Sequence, residues 1–156
     1  MATVNLTIAE TWAPYVAVRE KISLTMPEGV KPTESTYNVS GLVVQARLYG
    51  ARSTKSFCSL SVYRFPKGVD PNLVTEFSAY LAQGFASKVQ SPVLEEHQQV
   101  LDGMLGQFKS MDVGDQRIGL WIAKINGNIV ALSLRTDQKN FDQALQKVFR
   151  SFTILD

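Results

Sequence analysis

One cysteine and one histidine stand in a chain of 156 residues. Cys58 has no partner for an internal disulfide, and one thiol with one imidazole supplies too few ligands for a typical zinc site. No apolar run approaches the ~20 residues that a membrane-crossing helix needs, so no transmembrane segment is expected. The N-terminus, MATVNLTIAETWAPYV, lacks the basic start and continuous apolar stretch of a secretory leader. For the chain as written the expected compartment is the cytoplasm. The alternative is a periplasmic or envelope domain whose leader has been removed. Net charge is only +2, which gives no argument for nucleic acid, and none is expected as a partner. No glycine-rich phosphate cradle is present, because Gly103-Met-Leu-Gly106 has neither the spacing nor a following helix. At 45% hydrophobic and 19% charged residues the composition also excludes disorder. A single globular domain is expected from about residue 20 to 156, with no cofactor and no metal.

What the sequence does have is a hairpin of unusual apolarity, WIAKINGNIVALSLR. Asn126-Gly127 is a tight-turn pair, because both residues tolerate positive φ. In the outgoing arm Ile118, Leu120 and Ile122 share one face, and Trp121, Ala123 and Ile125 the other. The returning arm sets Val130, Leu132 and Leu134 opposite Ile129 and Ala131. A strand pair at a wet surface alternates apolar with polar residues; this one needs cover on both sides.

Two amphipathic helices supply candidates for that cover. Asp70 is a candidate N-cap with Pro71 at the first helical position, followed by Leu73, Phe77, Leu81, Phe85 and Val89 at steps of four. Asn140 is a second candidate N-cap, with Gln143 three residues on and a stripe of Phe141, Leu145, Val148 and Phe152. Alternation marks strands at Ile22–Met26, Leu42–Tyr49 and Cys58–Val62, with Gly50 to Lys55 as a hairpin loop. Leu94 to Leu101 and Met104 to Met111 read as further extended segments. The expected class is α+β: an α/β/α sandwich, with a central, mainly antiparallel sheet of about six strands and helices on both faces. Residues 1–19 are expected to form an N-terminal arm or extra strand, on the alternation of Val4, Leu6 and Ile8.

The succession ISLTMPEG, SVYRFPKG, a long helix, DGMLGQF, the apolar hairpin and a terminal helix closing on Phe149-Arg150-Ser151-Phe152 resembles the Mog1/PsbP-like group. That group includes the DcrB and DUF1795-type bacterial proteins. The resemblance implies an α/β/α sandwich and an accessory or binding protein with no activity of its own. Roles in the group include photosystem accessory subunits, a Ran GTPase regulator, envelope lipoproteins and chaperones for secreted effectors. No functional residue is carried over from it.

From Ser35 to Val69 there is no acidic residue, while Arg47, Arg52, Lys55, Arg64 and Lys67 fall in the same run. If the strands of this run pair, the five form a basic hairpin edge, either solvated or attracting an acidic protein surface, an anionic lipid or a phosphate. Trp12 and Tyr15 add apolar bulk near the N-terminus, as a cap on the sheet or as a surface for a partner. His97 shares a strand face with Glu95 but has no recognisable nucleophile, and Cys58 lies on an apolar strand face, where a buried structural thiol is the default. No catalytic residue is expected. The leading expectation is therefore a non-enzymatic, chaperone-like or accessory protein, monomer or homodimer, that binds another protein. The alternative is a small-molecule or lipid-binding module, which requires a cavity between helix and sheet. An enzyme ranks last.

Overall fold

Asn126 and Gly127 both adopt positive φ, +52° and +78°, and close a two-residue turn between Ile125 and Asn128. The computed structural model describes residues 11–156, and of residues 86–89 the backbone alone. The proposed strand around Val4, Leu6 and Ile8 lies outside the described residues. In chain order the elements are β1 (Trp12–Ala17), β2 (Ile22–Pro27), β3 (Lys31–Val39), β4 (Leu42–Arg52), β5 (Phe57–Arg64), α1 (Pro71–Val89), β6 (Val93–Leu101), β7 (Met104–Val113), β8 (Gln116–Ile125), β9 (Asn128–Asp137), α2 (Phe141–Ser151) and β10 (Thr153–Ile154).

Among the described residues two antiparallel sheets form, with strand orders β3-β4-β5-β9-β8-β7-β6 and β1-β2-β10. The fold is α+β. The large sheet has seven strands where about six were expected, and the apolar hairpin occupies its middle, with β9 the central strand. Two departures from expectation have clear physical origins. β3 reads KPTESTYNV, almost entirely exposed, and carries no apolar alternation to betray it. β2 has the burial pattern of a half-buried strand, but it belongs to the small sheet. Alternation records that a strand has one dry face; it does not record which sheet supplies the cover.

The hairpin's residues divide between two hydrophobic clusters. Trp121, Ala123, Val130, Leu132 and Leu134 join Phe141, Ala144 and Val148 of α2, together with Ile22, Leu24 and Met26 of β2. Leu120, Ile122, Ile129 and Ala131 join Val74 and Phe77 of α1. Alternate residues of each strand thus enter different clusters, as the period of two requires.

Trp121 is the largest wholly buried side chain. Its Nε1 donates to the Gln99 carbonyl at 2.9 Å, and its ring meets Phe152 at a centroid distance of 5.4 Å. The indole lies across Gly106, where a built Cβ would run into the ring and sit 2.8 Å from the Ile122 carbonyl oxygen. One strand over, a Cβ at Gly119 would stand 2.8 Å from Phe141 Cζ. The two glycines are therefore packing requirements of the ring layer.

The helix starts differ. At α1 the expected cap forms, with the Asn72 N–H donating to Asp70 Oδ1 at 2.9 Å. At α2 it does not: Asn140 makes no side-chain cap bond. Instead its backbone N–H and Nδ2 donate to the Asp137 carboxylate at 2.8 and 3.0 Å. Those bonds, the side-chain one first, hold the Asp137 carboxyl below its usual range.

Gly106→Ala is expected to destabilise the protein by about 1–3 kcal/mol through overpacking. In a Trp121→Leu background, where the smaller side chain leaves room, the same change should cost less by at least about 0.5 kcal/mol. Urea unfolding midpoints of the four proteins measure the difference; equal cost in both backgrounds contradicts the proposed contact.

Candidate functional site

The five basic residues expected to form one edge do not come together. β4 and β5 lie inside the large sheet, because β3 covers β4. Arg47 faces the α2 cluster side beside Tyr49, and so does Arg64, while Arg52 lies on the opposite face by register. Lys67 is exposed in the connection to α1, at the far end of β5 from Arg52 and Lys55.

Arg47 and Arg64 are also neutralised. Glu20, in the turn between β1 and β2, has a side chain only 2% exposed. Its Oε1 lies 3.3 Å from Arg47 Nη1 and its Oε2 2.6 Å from Arg64 Nη2. The Tyr49 hydroxyl donates to Oε1 at 3.3 Å, and burial pushes that phenol above its usual range, so it stays a neutral donor. Arg47 reaches Glu34 of β3 as well. The cluster ties the small sheet's turn to the large sheet, and no unpaired basic edge remains there. An acid-free stretch of sequence found its acids 13 to 44 residues away.

Trp12 and Tyr15 are half-buried on β1 and pack against the α2 cluster. Lys147 of α2 lies over the Trp12 ring at 5.6 Å, and the Tyr15 ring stands 5.8 Å from that of Tyr49. His97 Nδ1 is 3.4 Å from Glu95 Oε1, on the shared face the alternation predicts, with its ring against Phe108. Both sit on the edge strand β6. Cys58 is buried, and burial pushes its thiol up to about 12, which keeps it protonated and unreactive at neutral pH.

A cleft of about 390 Å³ opens between α1 and the large sheet. Its position follows from how α1 is seated. Phe77 is buried in an aromatic group, 5.1 Å from the Tyr63 ring and 5.5 Å from Phe65, and this pins the first turns. Farther along, Leu81 and Phe85 are only half-buried and border the cleft. The helix stripe is therefore not wholly spent on packing. Leu120, Ile122 and Ala131 form the floor. Beside them Ser59, Ser61 and Ser133 bring hydroxyls to the same face, Ser59 directly opposite Ser133. Tyr63 and Tyr37 close one side; burial first, and then the neighbouring Tyr37, push the Tyr63 phenol up, so it remains a neutral donor. Among the described residues no acidic or basic one lines the cleft.

Next along the same sheet face is a second hollow, of about 470 Å³, at the β4–β5 turn. Arg52, Lys55 and Arg135 border it, with Ser53, Thr54 and Gln116. The Arg52 guanidinium lies over the Phe57 ring at 5.3 Å, and Arg135 Nε donates to Gln116 Oε1. Among the described residues no group of three metal-ligating side chains occurs, and no helix is long and apolar enough to cross a membrane.

With this geometry the chain is similar to a solved structure, the solution structure of cyanobacterial PsbP (CyanoP) from Synechocystis sp. PCC 6803. The similarity covers 99% of this chain and 98% of that one, with a TM-score of 0.57 and 15% sequence identity. The fold is PsbP-like. No family model and no curated protein matches the chain.

Sequence reasoning left the cleft unlocated. Its signals are the small polar residues Ser59, Ser61 and Ser133 on strands of an interior sheet, and a glycine, Gly84, in mid-helix.

The Glu20 cluster has a thermodynamic consequence. Glu20→Ala leaves Arg47 with Glu34 alone and takes from Arg64, which is half exposed, its carboxylate; it should cost about 1–2 kcal/mol. Arg52→Ala, an exposed change, should stay within about 0.5 kcal/mol. Chemical denaturation compares them; equal small losses contradict the role given to Glu20.

Proposed function

We propose that this protein is a non-catalytic binding protein that takes a small molecule with an apolar body in the cleft under α1. The observation that carries this reading is Gly84. Glycine inside a helix costs about 1 kcal/mol relative to alanine. Such a residue is normally explained by close packing or by a positive φ. Neither applies, since a Cβ at Gly84 meets no described heavy atom within 4 Å and its φ is not positive. What its missing side chain does is leave the cleft open.

The lining supports binding over chemistry. An apolar floor with a few fixed hydroxyls is the usual make-up of a small-molecule site, and the volume falls in the usual range. A serine hydroxyl needs an adjacent base to become a nucleophile, and the described residues that line the cleft include none. The layered reading, an α/β/α sandwich with one helix on each face of the large sheet, belongs to the same proposal. It is supported by the separate clusters that α1 and α2 join. Kinship with the DcrB and DUF1795-type proteins is also part of the proposal. It rests on the strand closing at Met26-Pro27 and on the Phe149-Arg150-Ser151-Phe152 end.

A protein partner is the second reading, and one observation favours it. Val100 and Leu105 are directly paired across β6 and β7, and both side chains are more than half exposed. Val100 stands on the edge strand β6 and Leu105 on its neighbour β7, at a sheet edge where partners dock.

Titration with the neutral, environment-sensitive dye N-phenyl-1-naphthylamine separates the readings. The native protein should enhance its fluorescence in a saturable way. Gly84→Phe, which fills the cleft from a position with room for a side chain, should abolish that signal without lowering the thermal midpoint. Leu105→Glu should leave it intact. Undiminished dye binding by Gly84→Phe rules out the cleft as the site.

A further inference from the structure

The cleft and the basic hollow are neighbours on one sheet face, and we infer that together they take a single-chain amphiphile whose apolar chain lies under α1 and whose anionic head lies between Arg52 and Arg135. The inference rests on the cleft reading above and adds the chemistry of the ligand's other end.

Their adjacency is a matter of register. Ser59 pairs with Ser133 across β5 and β9, and the next residues on the same face, Phe57 and Arg135, pair in turn. Arg52 pairs with Phe57 on the other side. Across β8 and β9, Ile122 pairs with Ala131, Leu120 with Ser133 and Ile118 with Arg135. The lining residues of the cleft and of the hollow therefore follow one another along the same face of β5 and β9. From Ala131 to Arg135 the path is roughly 14 Å at about 3.4 Å per residue, the span of an extended medium-length alkyl chain.

Polarity changes in one direction along that face. It begins with Leu120, Ile122 and Ala131, passes the hydroxyls of Ser59 and Ser133, and ends at two guanidiniums. Among the described residues no carboxylate lines either space. The arginines are also held in place. Arg52 is stacked on Phe57, and Arg135 is anchored through Nε to Gln116. A guanidinium fixed in this way loses little side-chain freedom when it meets an anion, and its forked N–H groups match a carboxylate or phosphate. Apolar chain at one end and anion at the other is the complement of a fatty-acid-like molecule. A wholly apolar ligand would leave the charged end unused, and a small free anion the apolar end.

Displacement of N-phenyl-1-naphthylamine by dodecanoate and by dodecanol, each below the concentration at which it aggregates, tests this on the intact protein. Arg52→Gln/Arg135→Gln should weaken dodecanoate about tenfold and leave dodecanol unchanged, because only the first offers a charge to the guanidiniums. Added salt should weaken dodecanoate alone. Gly84→Phe should remove both competitors together with the dye. If the arginine double variant binds dodecanoate within about twofold of the native protein, the anionic end is wrong while the cleft reading stands. If dodecanoate acts only once it aggregates, a site for the monomeric amphiphile is overturned. If Gly84→Phe leaves both competitors unaffected, the cleft reading itself fails.

Discussion

The middle of the hairpin, Ile118 to Ala123 and Ile129 to Leu132, is apolar on both faces, and its two faces enter separate hydrophobic clusters. Toward the α2 cluster the cover is complete. Trp121 lies over Gly106 and Phe141 against Gly119, and both α2 and the small sheet press on the layer. Toward the other cluster the cover is a single helix. A seven-stranded sheet is roughly 30 Å wide at about 4.8 Å per strand, while one helix with its side chains spans about 10–12 Å. α1 cannot roof that surface. Phe77 decides where it sits, among Tyr63, Phe65 and Tyr37, and the sheet beyond is left to the cleft. The cleft is thus a geometric remainder of unequal cover, and Gly84 enlarges it.

Buried hydroxyls occur on both faces of the sheet, and each must find a partner. On the α2 side Ser110 and Thr136 are buried, Thr136 hydrogen-bonded to Ser56 at 2.9 Å. On the other side Ser59, Ser61 and Ser133 gather at the cleft. Among the described residues no buried side-chain polar atom lacks a hydrogen-bond partner.

Much of the fold was legible because it is written in period. The hairpin, β2, β5 and both helices are marked by clean periodicity, and Asn126-Gly127 fixes the turn. What escaped is what has no period to show. β3 is polar throughout and is recognised only by its pairing with β4. β2 reads as a strand but carries no sign of which sheet it joins. The site was less legible than the fold. Arg47, Arg52, Lys55, Arg64 and Lys67 are close in sequence, yet the pleat sends Arg47 and Arg64 one way and Arg52 the other. Glu20, which neutralises the first two, lies far from them in sequence and is brought near only by the packing of one sheet on another. The cleft had two faint traces, polar alternation on β5 and the mid-helix Gly84, and each is ambiguous until the helix is placed on the sheet.

The central claim is that the space under α1 is a binding site. Backbone amide chemical shifts of the isotopically labelled protein, followed during titration with N-phenyl-1-naphthylamine, test it most directly. The account predicts saturable changes concentrated at Ser59, Ser61, Leu81, Gly84, Ala131 and Ser133, with the β6–β7 turn and α2 unmoved. Changes centred on Val100 and Leu105, or none at the cleft at saturating dye, would contradict it.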